Sequence, residues 1–210
     1  MGSFLPAFAV IVAVVAWSHV ALSESADVCL ARVNELGGEE IVMIPREPTG
    51  GHGVALHACG IVDAPPAAVW PVVRDCEKWD QYMPGVGSSK LQKRTGNTAI
   101  CEVIVDLPYP FSDLRSVASI VEIERPDGGF SRRSLFLEGD YKHNNGYWIV
   151  LPYEDGKKTL LVYDIDFNPD MAVPDFLLRS LQSRTAPDIF SAIRERVKMC
   201  SASAETCKAE

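Results

Sequence analysis

Between residues 86 and 166 the sequence is cut at short intervals by turn-forming clusters: RTGN at 94–97, LPYPFSD at 107–113, PDGG at 126–129, HNNG at 143–146 and EDGK at 154–157. This punctuation constrains the fold more than any other feature. Gly, Asn and Asp supply the backbone angles that tight hairpins need, and LPYPFSD reads as a longer loop. The five connections separate six short segments of strand-like composition. Turns this tight make consecutive strands antiparallel, so a meander is expected. Two more apolar runs, EEIVMIP and VALHACGIV, lie on either side of the Pro/Gly-rich PREPTGGHG and read as strands that precede the meander.

After the last strand, Pro174 to about Met199 forms a long amphipathic segment with Leu177, Leu178, Leu181, Ile189, Ile193 and Val197 on one helical face. Its period survives across Pro187, which predicts one bent helix rather than two. Such a stripe must be buried, and the concave face of a curled antiparallel sheet is the large surface on offer. The expected class is therefore α+β, a curved antiparallel sheet wrapped around a long C-terminal helix. DAPPAAVWPVVRDCEKWDQYMPGV, ahead of the meander, reads as two short helices with Val69, Val73 and Trp79 on their inner side. DVCLARVNEL reads as a short opening helix with Val28, Ala31 and Leu36 inside, ending at Gly37-Gly38.

At 210 residues and 47% hydrophobic composition the chain has material for one sizeable core. A net charge of -8 with scattered basic residues offers no footprint for nucleic acid. The first 23 residues carry no charged side chain, and Phe4 to Leu22 is an apolar run leading into ALSESAD. We read residues 1–23 as an export signal, with an uncleaved membrane anchor as the alternative. The expected organisation is then signal 1–23, N-terminal helix and linker 24–39, a ligand-binding domain 40–200 and a tail 201–210. Export to the periplasm or the exterior places Cys29, Cys59, Cys76, Cys101, Cys200 and Cys207 where disulfides persist. None of them forms a C-x-x-C. Cys29, Cys200 and Cys207, near the ends of the mature chain, are the expected disulfide partners, the others being candidates for small core residues.

No histidine pair has metal spacing, and G-x-S-x-G, P-loop and H-E-x-x-H motifs are absent, so neither a metal nor a cofactor is expected. DFNPDMAVPDFL opens like a calcium loop but puts Met171 and Leu177 where a glycine and a glutamate are needed. His57 reads as structural. Strand parity gives the remaining candidates. Cys101, Val103 and Val105 face inward against Glu102 and Asp106, and Leu161, Tyr163 and Ile165 face inward against Asp164 and Asp166. In the strand from Leu114, setting Glu122 and Glu124 toward water turns Arg115, Val117, Val121 and Ile123 inward. An inward arginine needs a partner, and the Tyr163 hydroxyl or a ligand would serve; the competing reading is an Arg115 that snorkels to the surface or ties down the Asp113 loop.

Three segments resemble the START-like or helix-grip superfamily, in particular its polyketide cyclase/dehydrase-like and lipid-transfer members. They are DAPPAAVWPVVRDCEKWDQYMPGV, VDLPYPFSDLRSV and VYDIDFNPDMAVPDFLLRSL. The resemblance runs from about Glu40 to Met199. It departs from the lipid-transfer pattern where Asn168-Pro169-Asp170-Met171 replaces an Asp-Pro-Gly-Gly turn and Phe176 replaces a Trp. The resemblance implies an apolar or amphipathic small-molecule ligand, a lipid, sterol or isoprenoid, held between sheet and helix. Arg115 would be the polar anchor, Tyr163 a second polar group, and Val103, Val105, Val117, Val121, Leu161, Ile165, Leu177 and Leu181 the apolar wall and lid. Transient membrane contact is compatible with such a carrier. The alternatives are a cyclase/dehydratase-like enzyme, against which export argues, and a solid-core scaffold for a protein partner.

Overall fold

The computed structural model of the protein describes residues 26–37 and 40–202, the side chain of Leu181 excepted. The expected signal at 1–23, Cys207 and most of the expected tail lie outside the described residues. No helix among the described residues is long and apolar enough to cross a membrane.

Eight strands form one antiparallel sheet: β1 (Val42–Arg46), β2 (Val54–Val62), β3 (Val86–Thr95), β4 (Thr98–Val105), β5 (Leu114–Glu124), β6 (Phe130–Gly139), β7 (Tyr141–Tyr153) and β8 (Lys158–Pro169). Their spatial order is β1-β2-β8-β7-β6-β5-β4-β3. The meander from β3 to β8 is thus laid down in sequence order, and β2 closes onto its last strand. The helices are α1 (residues 26–35), α2 (Pro66–Arg74) and α3 (Asp175–Ala202), with a 3-10 turn at Cys76–Gln81 after α2. α3 runs unbroken through Pro187.

One expected turn is not a turn. His143 to Gly146 lie inside β7, and the β6–β7 corner is at Gly139 and Asp140. Gly139 has φ +133°, and a Cβ there would run into the Arg115 carbonyl. Asp140 completes the corner: its N–H donates to the Arg115 carbonyl at 2.8 Å, and its carboxylate accepts from the Arg115 N–H at 2.8 Å. The polar residues of HNNG are used in the strand instead. His143 Nε2 lies 2.9 Å from Asp166, and Asn145 accepts from the Phe136 N–H at 3.0 Å.

The sheet is covered on both faces along β2, β7 and β8. On the concave side Leu56, Ala58, Val150 and Leu161 pack with α2 and with Ala186, Phe190, Ile193 and Val197 of α3. On the convex side α1 presses Cys29 and Val33 onto Cys59, Ile61, Ile149, Leu160 and Val162. The face of α1 differs from expectation: Ala26, Cys29 and Val33 are buried, while Val28 and Leu36 are exposed. A disulfide from Cys29 to Cys59 sets which side meets the sheet.

Candidate ligand cavity

Strand β4 turns Ala99, Cys101, Val103 and Val105 to the concave side, and β5 does the same with Leu114, Ser116, Ala118 and Ile120. These side chains are small or medium, and facing α3 they leave space. Sheet and helix enclose a cavity of about 280 Å³, at the lower end of the usual range for a small-molecule site. Trp148, Tyr163, Ile165 and Phe167 form the wall on β7 and β8, and Leu178, Gln182, Thr185 and Ile189 form the roof.

Of the expected ligand residues, Val103, Val105, Tyr163 and Ile165 line this space. Leu161 shares their face but is fully buried in the packed core beside Phe190. Leu177 packs against Val54, Val173 and Leu178 where α3 begins, outside the lining. Leu181 has no described side chain.

The expectation for β5 is inverted. Arg115, Val117 and Val121 lie on the face away from the cavity, and Arg115 is not the polar anchor. Its guanidinium binds Glu102 at 2.7 Å and Glu138 at 2.9 Å, on neighbouring strands of the convex side. These hydrogen bonds, with Glu138 the stronger influence, hold its pKa above the ordinary arginine value. Tyr163 therefore has no contact with it; its ring stacks on Trp148 at 4.3 Å, and burial pushes its hydroxyl pKa up. The reversal has a definite cause. Glu122, assigned to water, is buried, and its Oε2 accepts from both Arg74 of α2 and Arg94 of β3 at 2.8 Å. A carboxylate met by two guanidinia can be buried, and its side of the strand goes in with it.

The buried cation of the cavity is Arg132, which sequence reasoning missed. Only 2% of it is exposed, and its Nη1 donates to the Val73 carbonyl at 2.6 Å, where α2 ends. Its guanidinium lies 4.8 Å from the centre of the Trp79 ring. Burial lowers its pKa to about 10, with the Glu122 charge opposing the shift, so it is a cation at neutral pH. A signal for it was present: a hairpin centred on PDGG sets Glu122 directly opposite Arg132, an opposite-charge pair across two strands. Trp79, expected to be core, also lines the cavity.

His57 has a carboxylate beside it that sequence did not reveal. Its Nδ1 lies 3.1 Å from Asp164, which also binds Arg46 at 2.7 Å. Its Nε2 faces Cys29 Sγ at 3.1 Å, which puts this cluster on the convex face under α1, across the sheet from the cavity. No metal-binding group of three or more His, Cys, Asp or Glu occurs among the described residues.

The disulfides include the expected Cys29 and Cys200 and extend to cysteines taken for core. Cys29 joins Cys59, and Cys76 joins Cys101, so two residues taken for simple core tie the 3-10 turn to the cavity wall. Cys200 is disulfide-bonded as well. The register places Cys59 under α1 and Cys101 under the turn, proximities that no spacing in the chain discloses.

Residues 62–194 match the model of a family described as polyketide cyclase / dehydrase and lipid transport. The chain belongs to this family. No curated protein matches its sequence. Its fold is shared by solved members of the START-like group. A STAR-related lipid transfer protein from Xanthomonas axonopodis superposes with a TM-score of 0.67 at 21% identity, covering 75% of this chain and 93% of that one. Human StAR-related lipid transfer protein 5 gives 0.64 at 17%, covering 84% and 98%. The Zhui aromatase/cyclase of Streptomyces gives 0.56 at 15%, covering 79% and 98%. The family's helix-grip architecture, curved sheet and long C-terminal helix, is that described above.

Proposed function

We propose that this protein binds and carries an apolar or amphipathic small molecule, of the lipid, sterol or isoprenoid kind, in the space between the sheet and α3. The observation that carries the reading is the cavity itself, about 280 Å³ and walled by Val103, Val105, Ala118, Ile120, Trp148 and Ile165. An open volume with such walls weighs against a solid-core scaffold, and a family that includes lipid transport supports a hydrophobic guest. Action in an oxidising compartment after export is part of the proposal, supported by the apolar N-terminal run and by the disulfides. Tyr109 and Phe176 are exposed on the two segments beside the cavity's Asp106, Leu107 and Leu178. They favour loading by brief contact with an apolar surface such as a membrane.

A second reading is an enzyme of the cyclase/dehydratase kind, favoured by the presence of Arg132 and Tyr163 at the cavity, where a carbonyl could be polarised. Native mass spectrometry of the purified protein, with uptake of the neutral probe N-phenyl-1-naphthylamine, tests both. A carrier yields a bound apolar molecule or saturable probe uptake, and returns its guest unchanged. The absence of both bound mass and uptake would overturn the ligand reading, and a guest recovered chemically altered would favour the enzyme.

A further inference from the structure

The polar groups of the cavity are unevenly supplied with partners. Asn144 donates to the Ser116 hydroxyl at 3.2 Å, and Ser134 donates to the Gly146 carbonyl at 3.3 Å. Arg132 is different. Among the described residues only the Val73 carbonyl accepts from it, although a guanidinium has five N–H groups to place. The Trp79 ring packs against the same guanidinium, 4.8 Å from ring centre to charge. Charge is unbalanced as well: Arg74, Arg94 and Arg132 surround a single buried carboxylate, Glu122, whose Oε2 is shared by Arg74 and Arg94 and whose Oε1 is buried without a hydrogen-bond partner. Three guanidinium groups against one carboxylate leave this corner with positive charge to spare.

The cavity's other end is of opposite character. Asp106, exposed to solvent, lines its mouth beside Leu114, and Arg132 stands opposite Glu122, eight residues further along β5. At the usual rise this is about 26 Å along the strand. A volume of about 280 Å³ stretched in this direction is narrow, suited to one chain rather than two.

We propose that the ligand is a single-chain apolar molecule ending in a carboxylate, which sits on the Arg132 guanidinium at the α2 end while the chain runs toward Asp106. The planar fork of arginine matches a carboxylate's two oxygens, and the negative Asp106 disfavours the reverse orientation. This rests on the reading of the cavity as a ligand site.

The test is calorimetric titration of the full chain, freed of bound ligand, with dodecanoate, dodecan-1-ol and dodecylamine, each below its micelle-forming concentration. N-phenyl-1-naphthylamine uptake is measured in parallel. The wild type should bind dodecanoate about tenfold or more tighter than the alcohol and the amine, the advantage of a charge-assisted pair. Arg132→Met should remove that preference, and Arg132→Lys should keep part of it. Equal binding of the three ligands by the wild type overturns the proposal. So does an intact dodecanoate preference in Arg132→Met, which would mean that Arg132 serves only the Glu122 cluster. Should Arg132→Met fail to fold, the wild-type ranking and Arg132→Lys decide. Absence of all binding, probe included, counts against the cavity as a ligand site, and is thereby distinct from failure of the headgroup assignment.

Discussion

The two halves of α3 rest on different kinds of surface. From Ala186 onward the helix buries Ala186, Phe190 and Ile193 completely and Val197 to within 2%. Before that, Leu178 is buried while Gln182 and Thr185 are only half-buried, and these three, with Ile189 from just past the division, form the cavity roof. The stripe is similar in both halves; what differs is the third partner. Over the later half α2 wedges Val69, Trp70 and Val73 between helix and sheet, and the space is filled. Over the earlier half the helix faces small strand residues with no wedge, and the space stays open. A gripping sheet therefore makes a core or a pocket according to whether another element enters beneath the helix.

The largest effect that can test this contrast is truncation. Phe190→Ala should cost about 3–5 kcal/mol of unfolding free energy, because the side chain is fully enclosed and its neighbours can relax only partly. Leu178→Ala should cost less, about 2 kcal/mol, since Leu178 already borders open volume. Urea unfolding of the two variants measures the difference, and equal costs would break the comparison.

A smaller effect on stability, with a large one on binding, is expected from filling the open half. Val103→Phe places a larger side chain into the cavity and should change stability by less than about 1 kcal/mol while abolishing uptake of N-phenyl-1-naphthylamine. The matching overpacking of the closed half, Ala58→Phe, should destabilise by about 1–3 kcal/mol with no gain or loss specific to binding. Uptake that survives Val103→Phe would mean that the guest sits elsewhere.

The mildest expected effect is acid loosening of the open half. Asp175, at the start of α3, accepts from the Gly53 N–H at 3.1 Å, and His52 stands 3.5 Å away; chiefly the Gly53 bond holds its pKa below the carboxylate range. At Asp166 partial burial pulls upward, but the Thr49 hydroxyl and the His143 imidazole outweigh it and the pKa is also lowered. A carboxyl with a depressed folded value stabilises above its unfolded pKa, near 3.9, and that contribution is lost as the pH falls through the folded value. Amide exchange at residues 175–185 should therefore rise between about pH 4 and pH 2 before exchange at 189–199 does, by an amount that Asp175→Asn reproduces at neutral pH.

Strand faces show where sequence reasoning succeeds and where it stops. On β4 and β8 the inward apolar residues alternate with charges that find water or partners on the convex side, so parity places Val103, Val105, Tyr163 and Ile165 on the cavity side. On β5 both parities carry apolar residues and both carry a charge, Arg115 on one and Glu122 on the other. Keeping carboxylates in water is then the only available rule, and here it fails. Arg74 and Arg94 reach Glu122 from α2 and β3, which lie 48 and 28 residues away in the chain. The HNNG segment fails similarly: its composition suits a turn, but the corner is made at Gly139 and Asp140 by contact with β5.

What the chain determines locally is the inventory and order of elements: strands with period two, a final helix with its stripe, and short turns that force antiparallel neighbours. These follow from backbone preferences and side-chain periodicity, which act over a few residues. The tertiary structure alone decides which charges are buried, which cysteines meet and where the space under α3 is left unfilled. Each of these depends on groups brought together from distant positions, because burying a charge is tolerable only when its partners arrive with it. Arg132 at the cavity and Arg115 outside it are the same residue type in neighbouring strands, and only the contacts of the folded chain separate an interior cation from a surface pair.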